Sequence, residues 1–125
     1  MSDSYVLQKA PFVVPTTDGK LIEEHVGRAV SNEPEVSVAH MVAPPGWSEP
    51  HQNPEFDEYT MMVRGRKQIE IDGETVTLNV GESLLVRKGA RVRYSNPFDV
   101  EAEYWSVCMP AFSPDLVNRE EDSGS

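Results

Sequence analysis

Short runs of period-two alternation, cut at close intervals by turn residues, govern what this chain can fold into. Val36, Val38, His40 and Val42 alternate with Ser37, Ala39 and Met41 ahead of a proline-rich loop at 43–50. A run at 58–63 stops at Gly65, and Ile69 and Ile71 lead into Asp72-Gly73, a two-residue hairpin signal. Val76, Leu78 and Val80 alternate with Thr75, Thr77 and Asn79 before Gly81. Runs at 83–88, 91–95 and 101–109 follow, separated by Gly89 and by Asn96-Pro97. Helices need apolar residues at a period near 3.6, and there is no room for them between these turns. The pattern predicts some seven short strands, with two weaker ones at 5–8 and 20–28. A single helix start stands at Ser113-Pro114-Asp115, a capping serine followed by proline at the first helical position. The last few residues are expected to fray. Ten prolines and eight glycines, most of them between strands, suit an all-β sandwich or barrel.

A chain of 125 residues supports one core, so residues 1–125 read as one domain: N-terminal strands at 5–30, a barrel at about 36–109 and a tail at 110–125. The tail reads as a packed segment or partner contact in preference to a lid. With 21 acidic against 11 basic residues the net charge is −10, which disfavours a phosphate backbone and argues against a nucleic-acid partner. No apolar run reaches the roughly 20 residues that span a membrane, and no signal-peptide pattern opens the chain. The single cysteine, Cys108, reads as a small core residue in a reducing compartment. The expectation is a cytoplasmic protein with no membrane partner.

The spacing of Gly46, His51, Asn53, Glu58 and Gly65, then Gly81, Gly89 and Asn96 after a fifteen-residue gap, resembles the two signature motifs of the cupin superfamily. The resemblance covers about residues 36–109 and implies a jelly-roll barrel, a double-stranded β-helix whose mouth forms a small-molecule pocket. In metal-binding cupins three histidines and a glutamate hold the ion. Here His51 and Glu58 stand at two of those positions, Asn53 replaces the second histidine and Val92 the third, while Arg87 replaces the motif proline. The metal motif is thus degenerate. It leaves either a weak site for manganese, iron, nickel or zinc, made by His51, Glu58 and Asn53 with His40 as a candidate fourth ligand, or a metal-free pocket.

Strand parity adds to this. Glu101 and Glu103 facing solvent would turn Tyr104, Ser106 and Cys108 inward, and Val92 and Tyr94 share a face. An interior lined by His51, Glu58, Tyr94 and Tyr104 suits acid–base catalysis, as in the metal-free sugar-nucleotide epimerases of the superfamily. The expected function is a cupin acting on a small molecule as an isomerase, lyase or dioxygenase through His51 and Glu58. The alternative is a non-catalytic sensor of a sugar or similar metabolite. Trp47 and Phe56 are expected at a pocket rim or dimer contact, and the resemblance implies a homodimer.

Overall fold

A computed structural model describes residues 4–120. Among the described residues nine strands form two antiparallel sheets. In the larger, β1 (Phe12–Val13), β2 (Leu21–Val26), β3 (Ser37–Ala43), β9 (Ala102–Met109), β4 (Asp57–Arg64) and β7 (Ser83–Val86) lie side by side in that order. In the smaller, β5 (Lys67–Ile71) stands between β6 (Glu74–Leu78) and β8 (Val92–Ser95). This is the expected all-β jelly roll. Consecutive strands mostly lie in different positions of the two sheets, so residues distant in sequence converge on the space between them.

The alternation read from the sequence becomes an inner and an outer face. Along β9, Ala102, Tyr104, Ser106 and Cys108 are buried and the residues between them are not. Ala43, Trp47, Met62, Ile69, Leu78, Val86, Val92, Tyr94, Ala102 and Tyr104 form the main core between the sheets. The β5–β6 hairpin turns at Asp72 and Gly73, both at positive φ (48° and 87°), the conformation the Asp-Gly pair predicts. Gly65 has a stricter reason: its φ is +77°, and a Cβ there would stand 2.2 Å from the Glu101 carbonyl oxygen.

Residues 5–8 form no strand, a correction to the weak alternation there. Tyr5, Val6 and Leu7 are exposed, so nothing buries one face of that run. The 20–28 prediction resolves into β2 and a one-turn helix, α1 (Arg28–Ser31), whose Ala29 and Val30 amides are capped by the buried Glu24 carboxylate. The helix expected after Ser113 is present as α2 (Pro114–Val117), with the Ser113 hydroxyl accepting from the Asp115 amide. Val117 of α2 packs with Phe56 and Cys108 in a second small cluster. The fraying expected of the terminus concerns residues 121–125, outside the described residues. Among the described residues no helix is long and apolar enough to cross a membrane.

Candidate functional site

A cavity of about 120 Å³ lies between the sheets. Its walls are built by parity. Lys20, Ile22 and Glu24 reach it from β2 and the residue before it; Ser37, Ala39 and Met41 from β3; Ser106 and Cys108 from β9; Lys67 and Tyr94 from the smaller sheet. Phe112 and Arg119 of the tail also line it, and both border a more open hollow outside that is shared with Val14, Lys20 and Glu49. The tail therefore packs on the barrel and frames this opening.

Glu58, at the start of β4, faces the cavity directly opposite Cys108 of β9. Its carboxylate accepts from the Tyr94 hydroxyl at 3.2 Å and from the Ser106 hydroxyl in a shorter bond. Burial, and after it the neighbouring charges of Glu58 and Glu49, pushes the Tyr94 phenol well above its usual range. Tyr94 thus stays protonated and donates, and Glu58 is the acceptor of the pair.

Two lysines share the cavity. Lys67 is 1% exposed, and its Nζ stands 4.3 Å from the centroid of the Tyr94 ring and 3.5 Å from that of Tyr104. Lys20 Nζ stands 4.3 Å from the Trp47 ring and 5.6 Å from the Tyr104 ring. Neither makes a salt bridge among the described residues. Burial is the largest influence on both. It holds the Lys67 amine below its ordinary value, Lys20 adding to the effect. For Lys20, the fields of Tyr104, Glu49 and Glu58 outweigh burial, and its value is raised. Tyr104 lies under both ammoniums with its hydroxyl buried and, among the described residues, without a hydrogen-bond partner. It does not line the cavity itself.

On the opposite side Gln52 Nε2 donates to Glu49 Oε1 at 3.0 Å, and Arg119 approaches Glu49 Oε2 at 3.6 Å. Burial raises Glu49, against the pull of Lys20, Lys67 and Arg119, so it keeps its proton to higher pH than an ordinary glutamate. Glu58 and Glu49 therefore stand in unlike surroundings, one under hydroxyl donors and one pushed toward its acid form.

Of the residues the motif singled out, the structure brings Glu58 and Tyr94 together and places the others elsewhere. Gln52 exchanges both backbone hydrogen bonds with Val92, at 2.9 Å each, so this stretch runs as a short extended ladder beside β8. Alternation then turns Gln52 inward and its neighbours His51 and Asn53 away from the cavity. His51 Nε2 bonds to Glu70 on the outward side of β5, which holds the Glu70 carboxyl below its usual range. Asn53 pairs through its backbone with Asn118 of the tail. His40 is corrected likewise: Ser37, Ala39 and Met41 take the inner face of β3, leaving His40 outside, bonded to Glu23 and Glu103 at 2.8 Å each. Trp47 and Phe56 are 5% and 3% exposed, too buried for a dimer contact.

This donor set does not fit a metal ion. Among the described residues no three of His, Cys, Asp and Glu gather as ligands, and the cavity that Glu58 faces is also faced by two ammonium groups, which repel a cation. Lys20, Glu49, Gln52, Lys67 and Arg119 carry the site's charge and polarity and went unread in the sequence. Parity offered a signal for two of them: Lys67 shares a face with Ile69 and Ile71, and Lys20 with Ile22.

Residues 39–108 match the family model of the cupin domain. The chain belongs to that family. Over 108 residues it is 47% identical to endoribonuclease YbeY of Myxococcus xanthus (strain DK1622), covering 86% of this chain and 37% of that protein. Over 52 residues it is 35% identical to polyketide synthase CurC of Streptomyces cyaneus, covering 42% and 34%. The chain thus spans little more than a third of the length of these curated relatives. Among solved structures, KdgF from Halomonas sp. superposes with a TM-score of 0.71 at 13% identity, covering 93% of this chain and all of that one. An RmlC-like cupin from Shewanella frigidimarina NCIMB 400 gives 0.71 at 16%, covering 93% and 97%. At these identities the likeness establishes the cupin fold alone.

Proposed function

We propose that the barrel cavity is a metal-free small-molecule site in which Glu58 takes and returns a proton, an acid–base role of the isomerase or lyase type. One observation carries this reading. A carboxylate at the cavity wall is oriented by two hydroxyls, Tyr94 and Ser106, while a second carboxyl, Glu49, lies on the other side with its acid form favoured. Unlike environments for two carboxyls are what divides base from acid in a single pocket. His51 has no part in this role, because its ring is turned to Glu70. The ribonuclease name of the Myxococcus relative is not carried over: a chain of net charge −10 has little to hold a phosphate backbone. A homodimer belongs to the same proposal, with the exposed edge strand β1 as its natural seam.

The test is solvent exchange. Compounds that raise the melting temperature are incubated with the protein in D₂O, and deuterium uptake into the compound is followed by NMR. Uptake with wild type and none with Glu58→Gln, which retains binding, is the expected result. Binding with no exchange by either protein would make the chain a sensor in place of an enzyme.

A further inference from the structure

Acid–base work at Glu58 has no need of Lys67 or Lys20, yet both are in the cavity. A buried ammonium without a counter-charge is among the costlier things a core can hold. Lys67 is 1% exposed, lines the cavity and, among the described residues, has no salt bridge. Its contacts are the faces of Tyr94 and Tyr104, which favour a cation but do not neutralise it. Lys20 repeats the arrangement over Trp47. The buried Tyr104 hydroxyl adds an unmet hydrogen-bonding group beneath the two.

The charges decide the kind of ligand. Three carboxyl groups line the cavity, and each is bonded elsewhere: Glu24 to the Ala29 and Val30 amides, Glu49 to Gln52 and Arg119, and Glu58 to two hydroxyls. Neither lysine is therefore directly paired with a carboxylate among the described residues. Most of the lining surface, including Ile22, Met41, Phe56 and Phe112, is apolar and suits a carbon body more than an inorganic ion. The whole-chain charge of −10 opposes any anion at long range, but that field is screened over about 10 Å of salt water, and the ammoniums act at contact.

We propose, resting on the reading of the cavity as a small-molecule site, that its ligand is a small organic monocarboxylate, with its head group between Lys20 and Lys67 and its carbon body against Met41, Phe56 and Phe112. The ion pair forms out of water, where charge-assisted hydrogen bonds are strongest.

The experiment titrates the full chain with propionate, butyrate and benzoate, with their neutral amides, and with inorganic phosphate, by calorimetry and saturation-transfer NMR. The acids are expected to bind and the amides not. Lys67→Met and Lys20→Met are each expected to weaken the acids by about tenfold or more, the worth of one charge-assisted contact. The outward Arg93→Gln serves as control and should change nothing. Equal binding of acids and amides, unmoved by either lysine variant, would overturn the carboxylate assignment and leave the small-molecule cavity standing. Phosphate binding more tightly than every acid would overturn it in favour of a plain anion site. No binding by any probe, with Phe112→Ala equally silent, would overturn both readings. The two lysine variants are independent, so a folding failure in one leaves the other to decide.

Discussion

The Tyr94 hydroxyl, carried by the smaller sheet, donates to the Glu58 carboxylate, carried by the larger, at 3.2 Å. That bond ties the two walls of the barrel together at the site and fixes which way the carboxylate points. Ser106 completes the hold from β9. Replacing Glu58 by Gln removes the charge-assisted part of both bonds and one of the carboxylates that face the two lysines. The expected cost is about 2 kcal/mol in urea denaturation. Tyr94→Phe should cost less, since Ser106 keeps its partner. Equal stability of Glu58→Gln and wild type would show that the carboxylate is not held as described.

Lys67 gives the opposite sign. Its ammonium is buried against two rings with no salt bridge among the described residues, so the ligand-free barrel carries its desolvation cost. Lys67→Met keeps the length of the side chain and drops the charge. The variant is expected to be more stable than wild type by about 1–3 kcal/mol. In that background Glu58→Gln should cost less than it does alone, because less positive charge is left uncompensated. A double-mutant cycle reads this coupling directly.

These two predictions concern residues of very different legibility. The barrel could be read from alternation and turns because those signals are local: Asp72-Gly73 makes its hairpin wherever it stands, and Gly65 answers to a carbonyl 2.2 Å away that only glycine tolerates. Glu58 and Tyr94 followed from motif position and strand parity. His51 did not, because its direction is set by a non-local pairing, the ladder between Gln52 and Val92, which shifts the inward position by one residue. His40 failed for a related reason. The larger Val38, His40 and Val42 read as the inner face of β3, whereas the narrow cavity takes Ser37 and Ala39 there and leaves the bulky side chains outside. Lys67 sat in plain view in the parity of β5, but a lysine in an apolar register reads as an edge residue until its neighbours are known.

Cys108 should be inert in the folded chain. It is 5% exposed, and burial, followed by the nearby Glu58 charge, pushes its thiol far above the usual range. A thiolate is the reactive form, so reaction with a disulfide reagent should be slow in buffer and rapid in denaturant, where the chain's single thiol titrates in full. Fast labelling of the native protein would contradict this packing. If a cavity ligand binds, labelling should slow further, since Cys108 lines the same space.

His40 provides the pH test, outside the cavity. Its two ring nitrogens meet Glu23 and Glu103 at 2.8 Å each, and the ring lies 5.1 Å from that of Trp105. Burial pulls its value down, and the bonds to Glu103 and Glu23 more than reverse the effect, so the folded value stands above the ordinary 6.5. A raised value means that the folded state binds the proton more tightly than the unfolded one. The stabilisation is therefore complete below about pH 6.5, the unfolded value, and is lost as pH rises through the folded value. Melting temperature should fall across that window at constant ionic strength, and His40→Gln should flatten the fall while leaving ligand binding untouched. A profile unchanged by the substitution would mean that the imidazolium is not held by the two carboxylates. Added salt should shrink the wild-type slope only in part, because the ring is half-buried and its partners touch it directly.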